Sequence, residues 1–186
     1  MEYNNEELNE YYLSLLRTKH NLIFVFFNNK DYNSNIIKID IFLIEFTIQY
    51  TINALFYNDN IMHKIYEDEG SFDFIYQLPK TIYSSLISIF LNSILKILAL
   101  SSGAIIGFKH DKIKDDVNER EIKLKDSLKI KFILYFIISL IFLLFFWYNI
   151  SMFGAIYMNT QFHLLKDTLM SFSLSFLYPF IINLLP

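Results

Sequence analysis

The chain has 186 residues, of which 54% are hydrophobic and 19% charged, with a net charge of -3 and no cysteine. The lack of cysteine excludes a disulfide framework and a thiolate zinc site, and the lack of a basic tract with interleaved aromatics argues against nucleic-acid binding. Twenty Phe and thirteen Tyr gather in long apolar runs, a distribution that suits lipid contact better than a water-soluble core.

The first 35 residues read as a cytoplasmic, interfacial segment. Glu2, Glu6, Glu7 and Glu10 give an acidic start without the positive head of a signal peptide. Leu8, Tyr11, Tyr12, Leu15 and Leu16 recur at i, i+3, i+4, i+7 and i+8, which predicts a helix with one apolar face lying on the cytoplasmic leaflet. Leu22 to Phe27 adds six apolar residues, too few to cross; they dip into the interface or pack under the helices.

Residues 36–186 read as a four-helix transmembrane domain, an all-α integral membrane bundle with spans at 36–57, 78–100, 131–156 and 168–185. The third is the clearest. Phe132 to Tyr148 is free of charge, and its continuation to Ile156 passes the roughly 18 residues at which an apolar run reads as a span. The first is the most exposed to challenge, because Asp40, Glu45, Gln49 and Asn53 lie within it and a mid-bilayer charge costs roughly 2.5 to 3.5 kcal/mol. Its alternative is a tilted interfacial helix. Asn149-Ile150-Ser151 matches a glycosylation acceptor, but its place in the third span marks a chance match.

Orientation follows from the basic residues. Lys109, Lys112, Lys114, Arg120, Lys123, Lys125, Lys129 and Lys131 stand in or beside the connector 101–130, half of the sixteen in the chain. That connector is therefore predicted to be cytoplasmic, together with both termini. Its alternating charges read as a solvated, mostly helical linker, with a lipid-headgroup or partner contact as the other reading.

Two polar stripes carry the candidate site. Glu45, Gln49 and Asn53 lie four apart on one face of the first span, and Thr81, Ser85, Ser88, Asn92 and Lys96 line one face of the second. If these spans are antiparallel neighbours, Glu45 is level with Asn92, Gln49 with Ser88, and Asn53 with Ser84 or Ser85. Such a seam reads first as helix packing and alternatively as an ion or substrate path centred on Glu45. Lys96 lies near the cytoplasmic end, where it snorkels or pairs with Asp40. Thr168, Ser171 and Ser175 give the fourth span a small-residue face, and the third span, the least polar, is placed outermost.

Chemical signatures are sparse. His63 with Glu67 and His163 with Asp167 stand four apart and form weak metal-ligand candidates. Tyr66 to Gly70 lacks the alternating ligands of a calcium loop and reads as an acidic turn. No cofactor is implied.

Leu16-Arg17-Thr18-Lys19-His20, Lys30-Asp31-Tyr32-Asn33, the run from Ile61 to Gly70, and Lys166-Asp167-Thr168-Leu169 carry a resemblance. On these phrases the chain resembles an uncharacterised family of multi-pass membrane regions in large predicted proteins of AT-rich single-celled eukaryotes. The resemblance implies a membrane region, often following a longer N-terminal part, and brings no catalytic or binding residue. With its abrupt start and its stop at Leu185-Pro186, the chain reads as a terminal fragment or as the product of a shortened gene model. The expectation is a multi-pass membrane anchor or assembly module whose partners are the bilayer and other membrane subunits or its own copies. The alternatives are an ion channel or transporter subunit and, third, a metal-dependent membrane hydrolase.

Overall fold

A computed structural model describes residues 5–28, 31–67, 74–110, 117–158 and 160–184. Leu8 lies outside the residues whose side chains are described, as do the acidic residues 68, 69 and 73 and the basic residues 30, 112 and 114. The described residues form helices only: α1 (Asn5–Lys19), α2 (Asn21–Phe26), α3 (Asn35–Leu55), α4 (Asp59–Glu67), α5 (Phe74–Ala99), α6 (Ser102–His110), α7 (Val117–Ile156) and α8 (Gln161–Leu184).

Helix α3 is the centre of the bundle and packs against α5, α7 and α8. Its cross-contacts fix the direction of each neighbour. Along α7, Tyr135 reaches Asp40, Phe146 meets Tyr50 and Phe153 meets Tyr57, so the two helices run in parallel. Along α8 the order reverses, with Phe172 beside Phe42 and Phe46, Ser171 at Asn53 and Asp167 at Tyr57. Helix α5 is antiparallel too, since Leu95 and Ala99 pack near Ile41 and Ile44 while Ser84 meets Gln49. The result is an up-down-up-down arrangement with α7 and α8 flanking the α3–α5 pair.

Two helices, α5 and α7, are long and apolar enough to cross a membrane, and α3 with α4 makes a third if that pair, bent by 85°, counts as one span. The expected fourth span falls on α8, whose first turns carry Lys166 and Asp167. Its Thr168, Ser171, Ser173 and Ser175 lower its hydropathy further. At 40 residues α7 is about 60 Å long at 1.5 Å per residue. The charged half of the connector is therefore the same helix as the third span, not a separate linker.

Helix α7 buries only Tyr135, Ser139 and Phe153 and leaves Ile137, Leu140, Ile141, Leu144, Trp147 and Tyr148 exposed. That agrees with its outermost placement. Polar groups on outward faces return to their own helix: Asn149, Ser151 and Ser173 donate to the carbonyls of Phe145, Trp147 and Leu169 at 2.7–2.8 Å. The Asn149 amide is thus occupied inside α7.

The N-terminal helices pack against the bundle. Helix α1 rests on α2 and α8, with Leu16 buried, Tyr12 and Leu15 half-buried and Tyr11 exposed. Helix α2 turns Asn21, Phe24 and Val25 inward. Lys38, fully buried on α3, holds the following segment by an ion pair to Asp31 at 2.6 Å and a bond to the Asn28 carbonyl at 2.5 Å. The Asn33 side-chain oxygen accepts from the backbone N–H groups of Ser101 and Ser102 at 2.8 and 2.9 Å, satisfying donors left over at the start of α6.

Candidate functional site

The enclosed interior of the bundle is polar. Gln49 and Asn53 on α3, Ser84, Ser85, Ser88 and Asn92 on α5, and Asp167, Thr168 and Ser171 on α8 are all nearly or fully buried. In hydrocarbon or in a dry core each of these groups needs a partner, and the helices supply them to one another. Gln49 donates to the Ser84 hydroxyl at 3.3 Å, and Ser84 meets Ser171 at 3.2 Å. Asn53 exchanges bonds with Ser171, donating at 3.1 Å and accepting at 3.2 Å, and also reaches Thr168 at 3.4 Å. Ser85 pairs with the Tyr178 hydroxyl at 3.0 Å, while Ser88 bonds back to the Ser84 carbonyl at 2.8 Å.

Charged groups close both ends of this column. At one end the Glu45 carboxylate accepts from the side chains of Asn21 on α2 and Asn92 on α5, with Lys96 near enough to act on it electrostatically. At the other, Asp167 accepts from the Lys80 ammonium and the Tyr57 hydroxyl, and the Lys80 ammonium lies 3.9 Å from the centre of the Tyr57 ring. His163 sits one turn before Asp167 and is buried. The second Asp167 oxygen, Oδ1, is buried without a hydrogen-bond partner among the described residues.

The seam expected between α3 and α5 forms, but with a third contributor. Glu45 is level with Asn92 as anticipated, whereas Gln49 meets Ser84 instead of Ser88, and Asn53 turns to α8. Asp40 takes the Tyr135 hydroxyl at 2.6 Å, so its partner comes from α7. Sequence reasoning did not reach Asn21, Tyr57, Lys80 or Tyr135. The available signal was Lys80 and Asp167 themselves, opposite charges at the same end of two apolar tracts.

The two metal-candidate pairs stay separate. His63 and Glu67 form an exposed pair on α4 at 3.1 Å, and Asp167 is committed to Lys80 and Tyr57. Among the described residues no three of His, Asp or Glu gather to hold an ion. The cavity between α3, α5 and α7 is small, about 20 Å³, and is lined by Ile48, Thr51, Ile52, Leu91, Phe142 and Phe145.

His20, between α1 and α2, is buried and stacks on Phe176 with ring centres 5.6 Å apart. Burial lowers its pKa below the ordinary value. The unfolded segment therefore binds more protons than the docked one, and docking, complete above about pH 6.5, weakens as the pH falls below it. Limited proteolysis of residues 10–28 is expected to speed up between pH 7.5 and 5.5, and His20→Phe to remove most of that dependence.

Comparison with protein-family models, curated proteins and solved structures finds no match to this chain, so its own residues are the ground for any functional reading.

Proposed function

We propose that the chain is a four-span membrane module that anchors or assembles a larger protein or complex, with α3, α5, α7 and α8 crossing the bilayer. The observation that carries this reading is the inverted distribution of polarity. Buried polar side chains pair across α3, α5 and α8, while Ile82, Leu86, Phe90, Ile94 and Ile97 of α5 and the outer face of α7 stay exposed and apolar. Water would penalise that surface; lipid does not. Lys131 stands at the edge of the charge-free tract, with the basic stretch from Lys109 on the same side. That end is read as cytoplasmic, as are both termini.

The test is extraction. The chain is expected to stay with membranes through a carbonate wash and ultracentrifugation, and recovery in the supernatant without detergent would overturn the reading. Protease added to sealed cells is expected to spare residues 117–131.

A second reading, a subunit that moves protons or ions, is favoured by the run of hydrogen-bonded side chains Asn53, Ser171, Ser84 and Gln49, which ends one turn from Glu45. Ion flux into proteoliposomes separates the two. The module reading expects no flux above protein-free vesicles; flux abolished by Glu45→Gln would replace it with transport.

A further inference from the structure

We propose that the face of α7 at the cytoplasmic edge of its apolar tract binds one anionic phospholipid. This rests on the membrane reading above. The face is a shallow groove of about 520 Å³ lined by Lys125, Leu128, Lys129, Phe132, Ile133 and Phe136. Those positions follow i, i+3, i+4, i+7, i+8 and i+11, so cations stand at one end of a single stripe and aromatic and aliphatic side chains at the other.

The cations are available. Lys123 is taken by Glu119 at 2.5 Å and Lys131 donates to the Leu100 carbonyl at 3.3 Å. Lys125 and Lys129, both exposed, have no ion pair among the described residues. Lys129 stands about 4.5 Å and Lys125 about 10 Å above Phe132 along the helix, against a headgroup layer of roughly 5 to 7 Å on each side. Side chains on a helix lean toward its N-terminus, here away from hydrocarbon. Lys129 thus meets the phosphate and Lys125, just beyond that layer, faces only a headgroup that projects past the phosphate, while an acyl chain follows Phe132, Ile133 and Phe136.

This division of labour sets the specificity. The phosphate is common to zwitterionic and anionic lipids, but a choline would face the Lys125 ammonium with like charge, whereas a serine or inositol phosphate headgroup offers an anion. A free phosphate leaves the apolar half of the groove unused, and a second copy docked symmetrically would set lysine against lysine.

Native mass spectrometry of the full chain, purified in mild detergent and offered phosphatidylserine or phosphatidylcholine with identical acyl chains, tests the proposal. The native chain is expected to retain phosphatidylserine preferentially, Lys125→Gln to bind both alike, and Lys125→Gln/Lys129→Gln to lose about fivefold in retention per lysine removed. Lys123→Gln, whose cation is already paired, is expected to behave as native. Equal retention of both lipids by the native chain overturns the site. So does an equal loss in Lys123→Gln, which would indicate diffuse charge, or preferential capture of an acidic peptide by the same lysines. Failure of the membrane reading is seen separately, as a chain that purifies without detergent.

Discussion

Replacing Asp167 with Ala is expected to lower the unfolding free energy by about 3 to 5 kcal/mol, the usual cost of stranding one charge of a buried pair. Asp167 is fully buried and Lys80 nearly so, and the carboxylate holds both the Lys80 ammonium and the Tyr57 hydroxyl. With the carboxylate gone, the ammonium keeps the Tyr57 ring at 3.9 Å, a contact worth about 2 kcal/mol when desolvated. That does not offset a buried cation, and the Tyr57 hydroxyl loses its acceptor at the same time. The double variant Lys80→Met/Asp167→Leu reverses the logic by removing both charges, and is expected to be as stable as the native chain or more so. Unfolding in detergent, followed by circular dichroism against temperature or denaturing surfactant, measures the cycle. A loss below about 1 kcal/mol for Asp167→Ala would mean that water reaches the pair, which would favour the transport reading. The pair also joins α5, α8 and the turn after α3 at one level, so its loss is expected to broaden the transition as well as lower it.

The helices were legible because apolar runs of that length leave few other structures open to the backbone. The seam was legible on α3 and α5 because Glu45, Gln49 and Asn53 repeat at the spacing that puts side chains on one face. Depth counting placed Glu45 beside Asn92 but failed at Asn53, because it assumed two helices where three meet. Once α8 brings Thr168 and Ser171 to the same level, Asn53 has two acceptors there, and Ser84 serves Gln49 instead. Asn21 was out of reach for another reason: a six-residue helix before the bundle has no periodicity from which its docking could be inferred. Lys80 and Asp167 were hidden by their position. Each, taken alone, looks like a charge at the mouth of a span, and only the parallel run of α5 and α8 makes them partners.

Lys38→Met is expected to release the N-terminal segment, at a local cost of about 2 to 3 kcal/mol. Lys38 is fully buried, yet its contacts all belong to one stretch of chain: Asp31 at 2.6 Å, the Asn28 carbonyl at 2.5 Å and the Phe24 ring at 5.0 Å. Methionine matches the stem in length but donates nothing, leaving the Asp31 carboxylate, among the described residues, with the Asn33 amide at 2.8 Å. The opening is therefore expected to be local, with α2 leaving α3 while the bundle core of Ile41, Ile44, Ile48 and Leu95 stays packed. Trypsin cleavage after Arg17 is expected to accelerate about thirtyfold or more, following the population of the open form. Cleavage at Lys125, already exposed on α7, serves as an unchanged reference. Adding Asp31→Asn to Lys38→Met removes the stranded carboxylate and is expected to recover part of the protection. An unchanged cleavage rate in Lys38→Met would place the hold of this segment elsewhere, on the bond from Asn21 to Glu45 and the stack of His20 on Phe176. The two outcomes also bear on Glu45, because a segment that leaves with Asn21 takes one of the carboxylate's two amide donors with it. Loss of the clamp at Lys38 thereby becomes a change in the polar column about two turns further along α3.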